Sequence, residues 1–189
     1  MPYCFDTVAP IYDLVMPKRR PDEFLGMLAA SADDAILEVG AGTGRIAKHY
    51  APHAGASVLL EPSHRMLKRA QRQVPLAVHV QGTAEAMHFD DGSFGKVICF
   101  DSIHHWSDQE RGLEEVYRVL EEGGLMVVVE VDPSTFWGGK VAMMERCLGM
   151  RSRFHPPEPL RQMMESAGFR DVAFKDVGSD MTYGVVARR

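Results

Sequence analysis

Cysteine is scarce in this sequence: Cys4, Cys99 and Cys147 are the three in 189 residues. They are far apart, odd in number and free of CxxC spacing, which argues against zinc and redox motifs and fits a reducing, cytoplasmic setting. Long apolar runs are also missing. None approaches the roughly 20 residues that span a bilayer, and Met1 to Asp6 lacks the basic start and apolar centre of a signal peptide, so no membrane partner is expected. Basic charge is sparse, with 21 Lys and Arg against 26 Asp and Glu for a net charge of -5. Outside Lys18-Arg19-Arg20, read as a solvated face before a helix starting at Pro21, and the terminal Arg188-Arg189, the basic residues are scattered. That excludes the electrostatic footprint of a nucleic-acid partner.

What is present is a globular composition, 46% hydrophobic and 25% charged, enough for one substantial core and one domain over 1–189. Apolar runs alternate with amphipathic stretches, the pattern of strands joined by crossover helices. Strands are expected at 35–39, 57–60, 76–80, 96–100 and 125–131, all parallel and several rich in β-branched residues. Helices are expected at 45–50, at 63–73 with Ser63 as N-cap, and at 108–120 with Asp108 as cap and Gly123-Gly124 as stop. Beyond Asp132-Pro133-Ser134 the rhythm changes. A Met-rich helix is expected at 139–150 and another at 159–166. Two last strands, 169–175 and 181–188, should pair as a hairpin around Gly178-Ser179-Asp180. The expected fold class is α/β, a Rossmann-like, seven-stranded, mostly parallel sheet with an antiparallel C-terminal hairpin strand and helices on both faces.

The chemistry concentrates on the turn from the first strand to the first crossover helix, Glu38-Val39-Gly40-Ala41-Gly42-Thr43-Gly44. Glycines there remove side chains where a ligand must come close. The dinucleotide fingerprint wants glycines at the first, third and sixth positions, and counting from Gly40 the sixth is Arg45. Glu38 adds a second objection, because a carboxylate repels phosphate but accepts hydrogen bonds from an ammonium group. Glu61, ending the second strand, can accept both hydroxyls of an unphosphorylated ribose.

These residues resemble the class I S-adenosylmethionine-dependent methyltransferases, and within them the small-molecule type often compared with the ubiquinone and menaquinone methyltransferases. The resemblance runs in five blocks: 36–47; Leu59-Leu60-Glu61-Pro62-Ser63 with Met66-Leu67; Gly82 to Phe89 with Asp91-Gly92-Ser93-Phe94; Phe100 to Trp106; and Val119 to Leu125. It implies S-adenosylmethionine as cofactor, S-adenosylhomocysteine as product and a small-molecule methyl acceptor as partner. It implies that Gly40 and Gly42 pass under the methionine part, with Ala41 and Gly44 of the same turn also binding the cofactor, that Glu38 bonds near its ammonium, and that Glu61 holds the ribose. Pro62 and Met66 would flank the adenine. Thr83 stands where the family often has an acidic residue, so adenine recognition should rest on the backbone of Ala84, on Glu85 or on apolar stacking. Phe100, Asp101, Ser102 and Ile103 would contribute backbone. Upstream, 5–9 and Tyr12-Asp13 resemble the family's N-terminal lid, placed within 1–31, with Tyr12 and Arg19 as candidates near the methionine carboxylate.

His104-His105-Trp106 ends the fourth strand, where the transferred methyl should emerge, and either histidine could take a proton from the acceptor. The competing reading packs one against the sheet and turns the other to solvent. No metal is expected, since adjacent histidines should diverge and no nearby acidic residue or cysteine completes a ligand set; Asp101 and Asp108 are the nearest candidates. The Met-rich stretch 143–150 and the segment 151–159 belong to an insertion, 133–167, that by the same resemblance would wall the acceptor side; ordinary helix packing explains the methionines equally well. Two other readings share the sequence: a catalytically silent S-adenosylmethionine-binding regulatory protein, and a nucleotide-dependent oxidoreductase. Homodimerisation stays open, as does the atom methylated.

Overall fold

A computed structural model describes residue 6 and residues 22–189. All seven strands of the described residues fall in one sheet of order β3-β2-β1-β4-β5-β7-β6. Strands β1 (Ala35–Val39), β2 (Ala56–Glu61), β3 (Val78–Gln81), β4 (Phe94–Phe100) and β5 (Leu120–Val131) run parallel. Strand β7 (Thr182–Arg188) alone runs against its neighbours β5 and β6 (Arg170–Lys175). The connections are α1 (Asp22–Leu28) before β1, α2 (Ala47–Tyr50), α3 (His64–Gln73), α4 (Gln109–Val119), α5 (Phe136–Cys147) and α6 (Pro157–Ser166).

The central strands are buried on both faces, as continuous apolar runs require. Leu37, Val97, Cys99, Met126 and Val128 face one core with Leu113 and Val116 of α4. Ile36, Ile98, Val127 and Val129 face the other with Phe24, Leu28 and Tyr50. Strand side chains alternate between faces, so one sheet feeds both layers. Strand order reverses between β1 and β4. The carboxyl ends of those strands splay their loops apart at that point, and open α/β sheets bind ligands there.

The helix caps match the sequence expectation. Ser63 accepts a hydrogen bond from the Met66 amide and Asp108 from that of Arg111, satisfying amide groups that a helix start leaves unpaired. Several boundaries differ from the expected ones, and two of the differences change a reading. Helix α4 stops at Val119, and β5 begins at once with Leu120 opposite Phe94, so Gly123-Gly124 lies inside a strand rather than ending a helix. The register shift between Phe94 and Lys96 absorbs those glycines. Helix α5 begins at Phe136, capped by Thr135, and ends at Cys147, so Met150 lies beyond it. Met143 and Met144 are exposed.

Candidate active site

A cavity of about 660 Å³ opens above the carboxyl ends of β1, β2, β3 and β4, within the roughly 300–1,000 Å³ usual for small-molecule sites. Its floor is the Gly-rich turn. Gly40 has φ +76° and a Cβ there would lie 2.5 Å from the Ser102 Cβ, so the β1 and β4 turns touch at that point. Gly42 has φ +56°, and a Cβ added to it would meet no atom within 4 Å; its absent side chain is cavity space. Gly44 plays a different part from the one expected. It packs on Ala70 and Val74 at 3.2 Å and does not line the cavity, its lack of a side chain serving the approach of α3.

Glu61 stands at the rim, 5% exposed. Its Oε2 accepts the Gly42 amide and its Oε1 the Ser63 amide, each at 2.9 Å, so the carboxylate ties the first turn to the second. Burial pushes its pKa up against those two donations. A carboxylate has about four lone-pair positions, so two anchoring bonds leave capacity toward the cavity. Pro62 and Met66 line the same wall, as do Thr83, Ala84 and Glu85. Glu85 is a strap: its Oε1 accepts the Ser107 amide at 2.6 Å, the Ser107 hydroxyl at 2.7 Å and the Asp108 amide at 3.1 Å. Burial opposes ionisation there, but the donations from Ser107 and its neighbours outweigh it and hold Glu85 below the ordinary carboxylate range.

Glu38 is turned away from the cavity. It shares a face of β1 with Ile36, so it points into the layer containing Tyr50, whose hydroxyl donates to Oε2 at 3.0 Å. Burial drives its pKa up to about 8, with the Tyr50 hydrogen bond pulling the other way. At neutral pH it is largely protonated, which removes the charge repulsion that the sequence set against phosphate. Ala41, Phe100 and Ile103 are likewise core side chains: Phe100 meets Phe24 edge to face at 5.4 Å. Asp101, at φ +48°, and Ser102 line the cavity. Tyr12 and Arg19 lie outside the described residues. Asp6 is described, and its Oδ1 accepts the Ser63 hydroxyl at 2.6 Å, beside the Glu61 rim.

The two histidines follow β4 on a 3-10 turn, Ile103–His105, organised from the next strand by Glu130, a residue the sequence did not single out. Glu130 Oε1 accepts the Ser102 and Ile103 amides at 2.9 and 2.7 Å. Its Oε2 lies 2.5 Å from His104 Nδ1. His104 is 4% exposed and stacked on Phe154 at 4.1 Å, behind the cavity wall. Burial works against its charge, but Glu130 prevails and raises its pKa. His105 is on the wall, and burial followed by the neighbouring His104 charge lowers its pKa well below the usual value. The rings do not diverge as expected from adjacent positions; their centroids are 4.0 Å apart. Glu145 of α5 joins them, offering an oxygen 4.0 Å from His104 Nε2. One potential ligand atom from each of His104, His105 and Glu145 lies within 4.8 Å of the others.

Met150, Arg151, Ser152 and Arg153 close the remaining side, so the 151–159 segment does reach the cavity. Arg153 is held there by backbone, its amide donating to the His104 carbonyl at 2.8 Å and its guanidinium to that of Ser107 at 2.7 Å.

Residues 37–128 match the methyltransferase domain family. The chain is thus similar to methyltransferases over the segment that holds the cavity floor and most of its wall. It is similar to 2-methyl-6-phytyl-1,4-hydroquinone methyltransferase 1 of Oryza sativa, 30% identical over 79% of this chain and 45% of that one. It is similar also to the demethylmenaquinone methyltransferase of Chlorobaculum tepidum, 33% identical over 67% of this chain and 57% of that one. The chain therefore spans about half the length of these curated relatives. A Thermotoga maritima structure described as an S-adenosylmethionine-dependent methyltransferase, possible histamine N-methyltransferase, superposes with TM-score 0.81 and 25% identity, covering 100% of this chain and 99% of that one. The fold recurs at 14% identity and TM-score 0.79 in a Haemonchus contortus phosphoethanolamine N-methyltransferase 2 bound to S-adenosylhomocysteine, over 97% of this chain and 57% of that one. Among the described residues no helix is long and apolar enough to cross a membrane.

Proposed function

We propose that this chain is an S-adenosylmethionine-dependent methyltransferase acting on a small molecule. The observation that carries the reading is the cavity at the β1/β4 switch point, with side-chain-free Gly42 on its floor and Glu61 on its rim. The residues present fit the cofactor: the space a Cβ at Gly42 would take is open, and Glu61 is an anchored acceptor for ribose hydroxyls. S-adenosylmethionine, when bound, supplies a methyl group on a sulfonium that a nucleophile displaces directly.

The protein has correspondingly few tasks. Glu61 fixes the sugar end, while Pro62, Met66, Thr83 and Ala84 form the wall for the base. Gly40 and Gly42 let the chain approach the amino-acid end, with Asp101 and Ser102 opposite. Glu38 supports the turn from below through Tyr50. Trp106, Met150 and Arg151 enclose the acceptor side and shield the reacting pair from water. The acceptor class follows two supports, the quinone-related methyltransferases among the relatives and a cavity of small-molecule size. The chain as a single domain acting in the cytoplasm belongs to the same reading.

The test is label transfer. Methyl-labelled S-adenosylmethionine incubated with a panel of hydroquinones, phenols and amines should label at least one acceptor, and Glu61→Ala should abolish that transfer. Cofactor binding without transfer to any acceptor would favour the silent regulatory reading.

A further inference from the structure

The cavity carries two positive charges that the cofactor reading leaves unused. Arg151 and Arg153 are the Lys and Arg residues of its described lining, and both stand on the segment between α5 and α6. No hydrogen bond or ion pair reaches the Arg151 guanidinium from any described residue. The Arg153 guanidinium commits Nη2 to the carbonyls of Ser107 at 2.7 Å and Trp106 at 3.5 Å, which leaves Nε and Nη1 undonated and no described carboxylate within ion-pair distance. Arg118 and Arg161, away from the cavity, hold carboxylates. Resting on the methyltransferase reading of this cavity, we propose that Arg151 and Arg153 form a subsite for an oxyanion, a carboxylate or a phosphate, which the methyl acceptor carries at the end remote from its reacting atom.

An arginine on any surface can be satisfied by water; what distinguishes these two is the frame that carries them. The segment has no helix or strand of its own, yet its backbone is fixed from the core. The Arg153 amide donates to the His104 carbonyl at 2.8 Å, and the Arg153 carbonyl accepts Gln109 Nε2 at 2.8 Å. Two residues on, the His155 carbonyl accepts the Tyr183 hydroxyl at 3.0 Å. Gln109 is 4% exposed, so a buried amide sets the position of an exposed arginine. A frame already ordered does not have to lose freedom when a ligand arrives. The guanidinium is planar and presents paired donors that match a carboxylate or phosphate.

Charge is divided across the cavity. The acidic lining residues Glu61 and Glu85 belong to the walls proposed for the cofactor and are occupied by backbone amides, whereas the two arginines stand beside Met150 and Ser152 on the acceptor side. Both arginines are exposed, which places the oxyanion at the mouth and directs the rest of the acceptor inward. The acceptor class is therefore a phenol, hydroquinone or amine that bears a carboxylate or phosphate. Its neutral counterpart would leave two guanidinium groups facing water at the mouth and lose the register they provide.

The measurement is isothermal titration of the intact chain, saturated with S-adenosylhomocysteine, using benzoate, phenyl phosphate and neutral benzamide as probes. One of the two anions should bind at least about tenfold more tightly than benzamide, and which one does so names the group. Arg151→Gln should weaken that anion by about tenfold, and the double variant R151Q/R153Q should bring it to the level of benzamide. Arg151→Lys should fall between, since the charge stays while the paired donors go. S-adenosylhomocysteine itself should bind every variant as it binds the wild type. Equal affinity for all three probes in the wild type, or an anion preference unchanged in Arg151→Gln, overturns the proposal. So does a joint loss of S-adenosylhomocysteine affinity, which would assign the arginines to the carboxylate of the cofactor. The two levels separate: a wild type that does not bind S-adenosylhomocysteine refutes the methyltransferase reading, and the probes titrated into the chain alone then judge the arginines by the same preference. Binding of S-adenosylhomocysteine beside indifference to the anions refutes only the oxyanion subsite.

Discussion

Glu38 shows how a single residue changes meaning between sequence and structure. As a letter before a glycine-rich turn it reads as a carboxylate facing a ligand; in the fold it is 2% exposed and paired with Tyr50. Its folded pKa is pushed up to about 8 by burial. A raised acid keeps its proton in the folded state while the unfolded chain ionises, so its contribution to stability is complete below the ordinary carboxylate range. It is lost as pH rises toward about 8. Glu38→Gln keeps an acceptor for Tyr50 without a titrating proton. Thermal melts from acid to mildly alkaline pH should show the variant gaining on the wild type by up to about 4 kcal/mol. Parallel curves would mean that Glu38 ionises freely in the fold. Strand alternation was available from the sequence and puts Glu38 with Ile36; what was not visible was that Tyr50 would occupy that layer.

At the scale of elements, the site depends on two turns pressed together. Gly40 meets Ser102 so closely that a Cβ would sit 2.5 Å from the Ser102 Cβ, at a φ of +76°. Gly40→Ala should cost about 1–2 kcal/mol for the left-handed backbone and about 1–3 kcal/mol for overpacking, measured by denaturant unfolding. Gly42→Ala meets no neighbour and should cost the backbone term alone while weakening cofactor binding. Equal losses for the two variants would contradict this division. Glu130 holds the opposite turn through two amides and His104. Removing it as Glu130→Ala should cost about 3–5 kcal/mol, the range for breaking a buried charged pair. The strands, the Ser63 and Asp108 caps and the C-terminal hairpin were legible because periodicity and capping are local. The joining of Gly123-Gly124 into β5 was not, since it depends on a register shift opposite Phe94. Glu130 and Glu145 were invisible for the same reason. Each acts on histidines more than 25 positions away in the chain, and only the adjacency of β4 to β5 and the return of α5 bring them together.

For the molecule as a whole, the sheet sets one binding position, and the sequence blocks that resemble the methyltransferases converge there: the glycine turn, Glu61, 82–85 and 100–106. Chain order alone could name these blocks but not say which side chains face inward. That division came from burial, which left Glu61, Gly42 and His105 on the wall and withdrew Glu38, Gly44 and His104 behind it. The most direct measurement is isothermal titration of the intact chain with S-adenosylhomocysteine. One site per chain is expected, with affinity reduced at least about tenfold, or about 1.4 kcal/mol, in Gly42→Val, whose side chain would occupy the cavity. Binding of NAD in place of S-adenosylhomocysteine, or affinity unchanged by Gly42→Val, would contradict the account.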